Sequence, residues 1–161
     1  MPHIQINGVV HQRQQNVNAC WYTCLQMVVR YYESLSGTCM SFLTGPEHFP
    51  HMQSRYEAAR VPSWAEWSRW AGECGFTPLN ITPNATGLYG FLSDHGPIIY
   101  AGTWGMGFDG HAVVVTGINT GSDTLYIDDP GERTAPVTKN MTTYFGRLRQ
   151  TLTDNPLFVY Q

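Results

Sequence analysis

Cys20 stands where a run of helical periodicity begins, and a cysteine in the first turn of a helix is chemically unusual. The unpaired amides and the positive end of the helix dipole stabilise a thiolate there, the form of the side chain that attacks carbonyls. A lone cysteine in that position is more often a buried core residue, so its company decides the reading. Gln14 lies six residues upstream. A side-chain amide there can join the cysteine's own backbone amide in donating to the oxyanion of an attacked carbonyl. Gln12 and Gln15 flank it, and Gln14 is preferred over Gln15. His111 follows a glycine, opens the most strongly β-branched segment, and is followed by a second strand ending in Asp128-Asp129-Pro130. A base needs its other ring nitrogen held by an acceptor, which fixes tautomer and orientation. Asp128 and Asp129 are both in reach of that role, because a one-residue slip in strand pairing exchanges their faces. The chemistry these residues suit is acyl transfer, with a thiolate as nucleophile and an imidazole as base. His3 and His11 read as surface residues near the terminus, and His48, His51 and His95 as loop or helix-end residues.

The elements that must position these groups are legible from periodicity. Residues 4 to 10 alternate loosely and suggest an edge strand. From Cys20, apolar residues at Cys24, Met27, Val28 and Tyr31 share one face, with Trp21, Leu25 and Tyr32 beside it. So wide an apolar surface predicts a central helix wrapped on several sides, with Asn18 as its cap. Glu47 to Arg60 suggests a short helix broken at Pro50. Ser63 and Glu66 have capping-box spacing ahead of Trp64, Trp67, Ala71 and Cys74, and Gly75 stops that helix. Asn84 caps another helix carrying Leu88, Phe91 and Leu92, ended by Gly96-Pro97. Beyond it the signal changes to strands at Ile98 to Ala101, His111 to Ile118, Leu125 to Asp128 and Leu157 to Tyr160. A glycine-rich loop with Trp104, Gly105, Gly107 and Gly110 precedes His111, and Met141 to Leu152 makes a helical stripe. Helices first and an antiparallel sheet second give an α+β class.

Composition narrows the rest. The 161 residues fit a single domain, 1–161, and 42% hydrophobic against 13% charged residues excludes a disordered chain. A net charge of -3 leaves no electrostatic footprint for nucleic acid or an anionic membrane, and no apolar run approaches a membrane span. The four cysteines, at 20, 24, 39 and 74, have neither the spacing of a zinc site nor that of a disulfide framework, so no metal is expected. The N-terminus does not read as a signal peptide.

Taken together, Asn18-Ala19-Cys20-Trp21-Tyr22-Thr23-Cys24, with Gln14 upstream, resembles the nucleophile motif of papain-like peptidases. The segment from Gly110 to Ile118, followed by Tyr126-Ile127-Asp128-Asp129-Pro130, resembles their histidine and Asp-Pro motifs. The pattern is similar to bacterial avirulence effector proteases injected into plant cells and to the double-glycine leader peptidases of bacteriocin exporters. The order Gln, Cys, His, Asp agrees, and the motifs bracket residues 14 to 130. The resemblance implies a papain-like fold, with a central catalytic helix in the N-terminal part packed on a C-terminal antiparallel sheet. It implies a thiol protease with Cys20 as nucleophile, His111 as general base, Gln14 as oxyanion donor and Asp129, the aspartate before proline, as the orienting residue. It implies a protein substrate cut at glycine or another small residue, no cofactor, and an immunity or inhibitor protein as a possible partner. With no signal peptide and no prosegment ahead of Gln14, the expectation is an effector or toxin. It would be secreted by a specialised system and act in the target-cell cytoplasm. The alternative is a Cys-His peptidoglycan amidase, which uses the same nucleophile on a cell-wall peptide.

Overall fold

The residues from Ala19 to Val29 are buried with the exception of Gln26, which is partly open. Cys20 to Val29 are the first ten of the 17 residues of helix α1 (Cys20–Ser36) in this computed structural model, which describes residues 2–36, 43–79, 84–103, 110–133, 137–140 and 157–160. They share one buried core with Trp67, Trp70 and Ala71 of helix α3 (Trp64–Glu73), Ile99 and Ala101 of strand β3 (Ile98–Thr103), and Ala112 and Val114 of strand β4 (Gly110–Asn119). Leu25, Met27 and Val28 are fully buried there, and each contributes roughly 1.5–3 kcal/mol relative to exposure. Asn18 is not the cap. Its side chain donates to Ala59 O at 2.8 Å, and Ala19 occupies the position before the helix, its carbonyl accepting from Thr23 N at 3.0 Å.

The other helices follow their local signals. Pro46–His48 makes one 3-10 turn, Phe49 is extended, and α2 (Pro50–Glu57) starts at Pro50, so the helical segment is interrupted there as expected. Proline suits the first helical position, where its missing N–H would have had no partner. At α3, Ser63 Oγ accepts from Glu66 N at 3.2 Å and Glu66 Oε2 accepts from Ser63 N at 2.9 Å, a complete capping box. Asn84 caps α4 (Ala85–His95) by accepting from Gly87 N at 2.7 Å.

The described strands form one antiparallel sheet of seven, including β1 (His3–Gln5), β2 (Phe76–Leu79), β5 (Thr124–Asp128), β6 (Val137–Asn140) and β7 (Leu157–Tyr160). The order is β2-β7-β3-β4-β5-β6, and β1 pairs with residues 117–119 of β4 beyond the end of β3. The N-terminal strand is shorter than the expected 4–10. Neither β2 nor β6 is evident from the sequence: β2 carries Pro78, tolerated because this strand pairs on one side only. Trp104, Gly105, Gly107, Cys39 and the Met141 to Leu152 stripe lie outside the described residues.

A bulge sets the face of every residue that follows it in β4. Val113 and Val115 pack with α4, Leu125 and Ile127, while Ala112 and Val114 pack with α1. Strict alternation would send Ile118 to the α1 side, yet it joins Val113 and Val115, because pairing with β5 shifts between Val115 and Gly117. Thr116 is the extra residue, its carbonyl accepting from Ile6 N at 2.7 Å.

Candidate active site

Cys20 is the first residue of α1, so its side chain lies at the positive end of the helix dipole. It is 5% exposed and opens onto a cleft of about 320 Å³, whose lining includes Trp21, Trp64, Trp67, His111 and Ala112. The α3 cap fixes the start of the helix that brings Trp64 to this cleft.

His111, at the head of β4, holds a side-chain hydrogen bond with Cys20 and another with Asp129, the latter from Nε2 to Oδ1 at 2.7 Å. With Nε2 engaged by the carboxylate, Nδ1 is the ring nitrogen left for other partners. Burial pulls the imidazole pKa down, but the hydrogen bonds to Asp129 and Cys20 and the charges of both outweigh it and raise the value to about 10. Asp129 feels the same balance in reverse. Its burial favours the neutral acid, while the His111 hydrogen bond and charge, the Gly131 amide and Lys139 hold its pKa below the ordinary carboxylate value. The Gly131 amide donates to Asp129 Oδ1 at 2.8 Å. A methyl on Gly131 would stand 3.2 Å from that oxygen and 3.6 Å from His111 Cε1, so a glycine keeps this turn close to the ring.

The structure sends the two aspartates to different histidines. Asp128 lies opposite Val114 in the β4–β5 ladder, and its Oδ1 contacts His11 Nδ1. His11 is therefore not a surface residue: its side chain is 18% exposed, and Nε2 also donates to Glu132 O at 3.0 Å. Nothing in its spacing from Gln14 marks it, because the partner is 117 residues away. His51 lies in the first turn of α2, at a helix end as expected, and bridges to Glu73 of α3 at 2.7 Å.

Gln14 runs beside the turn that holds Asp129. Its backbone N–H donates to Pro130 O at 2.8 Å, and its side-chain Nε2 donates to Asn16 O at 2.8 Å. That second bond uses one of the two amide hydrogens and fixes the plane of the side chain.

Cys24 and Cys74 are sealed in the core, and burial pushes both thiols up, Cys74 to about 12. Among the described residues, Cys20, Cys24 and Cys74 form no disulfide. Among the described residues no group of three or more His, Cys, Asp or Glu is arranged to hold a metal ion, and no helix is long and apolar enough to cross a membrane.

A family model described as papain-like cysteine protease AvrRpt2 matches residues 3–147. By sequence, no curated protein matches the chain. The fold is similar to that of a protein described as a C39-like peptidase from Bacillus anthracis, with a TM-score of 0.62 and 11% identity over 100% of this chain and 99% of that one. It is also similar to the peptidase domain of Streptococcus ComA, a bifunctional ABC transporter of a quorum-sensing pathway. There the TM-score is 0.60 and the identity 18%, over 96% of this chain and 100% of that one. A double glycine motif protease from an AMS/PCAT transporter, solved with its leader peptide, aligns over 100% of both chains with a TM-score of 0.58 and 18% identity.

Proposed function

We propose a mechanism and a substrate class for this chain, which belongs to the family of the papain-like cysteine protease AvrRpt2. Cys20 is the nucleophile, His111 the general base and acid, Asp129 the residue that orients the imidazole, and Gln14 an oxyanion donor. The reading is carried by the unbroken contact series Cys20–His111–Asp129 at the mouth of a cleft.

The Cys20 thiolate attacks the scissile carbonyl carbon, forming a C–S bond as the carbonyl electrons move to oxygen. The Cys20 backbone N–H and the second Nε2 hydrogen of Gln14 donate to that oxyanion. As the C–N bond breaks, His111 gives its Nδ1 proton to the departing amine. Water enters, His111 takes its proton, and hydroxide displaces the thiolate from the thioester, releasing the acid. Asp129 holds Nε2 throughout, so the ring needs no reorientation between the two half-reactions.

The substrate is a protein with glycine or another small residue at the cut. Support comes from the similar fold that is described as a double glycine motif protease. The Trp21, Trp64 and Trp67 wall of the cleft suits an apolar neighbouring side chain. We further propose that the protein is a secreted effector or toxin acting in the cytoplasm of a target cell, where the thiols of Cys20, Cys24 and Cys74 stay reduced. An immunity or inhibitor protein would restrain it.

The test is a quenched fluorescent peptide library, varied around the cut, with wild type and Cys20→Ala. Cleavage after small residues by the wild type alone supports the reading. Release of muropeptides from purified sacculi, with no peptide cleaved, would replace it with an amidase. Expression in a bacterial cytosol should slow growth for the wild type and not for Cys20→Ala, and export to the periplasm should relieve it.

A further inference from the structure

We propose that His11 is a positioning residue for the site, a clamp that holds the Asp129–Glu132 turn so that Asp129 faces His111. This inference rests on the reading in which Asp129 orients His111, and it concerns how that aspartate is kept in place.

The clamp has two jaws. His11 Nδ1 meets Asp128 Oδ1, immediately before the turn, and Nε2 donates to Glu132 O at 3.0 Å, at its last residue. Asp129 lies between these anchors. Three residues further along the same segment, Gln14 N donates to Pro130 O at 2.8 Å, so residues 11–14 grip the turn at three points. Within it, Glu132 N donates to Asp129 O at 3.0 Å and Gly131 N to Asp129 Oδ1 at 2.8 Å. One imidazole spans both ends, which no side chain with a single polar atom can do.

Proton counting adds an electrostatic role. A backbone carbonyl only accepts, so His11 Nε2 carries hydrogen. The contact between Nδ1 and Asp128 Oδ1 then holds one proton, as imidazolium with carboxylate or as a neutral pair. Either way the pair has no net charge. Asp128 has a side chain only 3% exposed, beside Asp129. Without His11 it would be a second buried carboxyl with no partner, competing with Asp129 for His111. The pair also lines a small second cavity of about 150 Å³ with Gln5 to Val9 and Thr116, apart from the cleft at Cys20.

The experiment measures alkylation of Cys20 by iodoacetamide in the folded protein at pH 6, by mass spectrometry. His11→Ala should slow it by roughly 10- to 100-fold, because a displaced Asp129 no longer holds the His111 imidazolium beside the thiolate. Its labelling-against-pH profile should move to higher pH. Asp128→Asn should stay within about twofold of wild type, since its amide can donate to His11 Nδ1 while Nε2–H keeps the Glu132 carbonyl. The His11→Ala, Asp128→Ala double variant should be no slower than the slower single, as expected of one shared interaction. Wild-type labelling in folded His11→Ala, with only a lower unfolding midpoint, would reduce His11 to a structural role and overturn the proposal. Asp128→Asn as slow as His11→Ala would also overturn it. If His11→Ala does not fold, His11→Asn carries the test: it keeps a donor near Asp128 and loses Glu132, and wild-type labelling by it overturns the clamp. Should wild-type Cys20 label no faster than Cys24 and Cys74, the nucleophile assignment itself falls, a result distinct from failure of the clamp alone.

Discussion

His111 Nε2 stands 2.7 Å from Asp129 Oδ1, while Asp128, one residue earlier, turns to His11. Asp128 is the last paired residue of β5, opposite Val114, and Asp129 is the first residue beyond the ladder. The turn that follows sets its direction: Gly131 N donates to Asp129 Oδ1 and Glu132 N to Asp129 O.

The two aspartates should therefore differ in function. Asp129→Ala should lower turnover by roughly 10²- to 10⁴-fold, the range for losing the group that orients a catalytic imidazole. Asp128→Ala should cost clearly less, because it acts only through His11. Single-turnover rates on a cleaved peptide measure both, and the reverse order would exchange the two roles.

The charge state of His111 should appear in stability against pH. Against the opposing effect of burial, its partners raise the pKa from 6.5 to about 10. The folded state then holds this proton more tightly than the unfolded chain. The stabilisation is complete below about pH 6.5 and is lost as pH rises through about 10. The unfolding midpoint should decline across that window. In Cys20→Ala, which lacks one of the partners, the decline should end at lower pH. His111→Ala should flatten it, and an unchanged slope in that variant would place the proton elsewhere.

Gly117 marks where β1 lies tightest on β4. A methyl there would come 2.5 Å from Ile4 O and 2.9 Å from Gln5 Cα, both backbone atoms. Gly117→Ala should destabilise the fold by about 1–3 kcal/mol, the usual range for overpacking, read from urea unfolding. A neutral result would mean that β1 moves away freely.

Ser63 links local capping to the cleft wall. Ser63→Ala removes the acceptor for Glu66 N and should cost about 1 kcal/mol. Because the frayed first turn carries Trp64, KM should rise while kcat is retained. A fall in kcat at constant KM would assign Ser63 a role nearer the chemistry.

The sequence alone determined the features that local chemistry dictates. Ser63 with Glu66, and Asn84 ahead of Gly87, announce helix starts because a cap needs only neighbours three residues away. The apolar run from Cys20 announces a central helix because wide apolar surface has to be covered. The motif order around Cys20 and His111 carried the family, and with it the α+β fold. Tertiary structure decided what depends on distant partners. It placed β7 between β2 and β3, and it let Pro78 enter a strand because that strand has one neighbour. It drew Asn18 away from the helix start to Ala59. It brought His11 to Asp128 across 117 residues, a pairing no local pattern encodes. Above all it set the β4–β5 register through one bulged residue. In a ladder of period two, that single residue puts Ile118 on the face of Val113 and Val115.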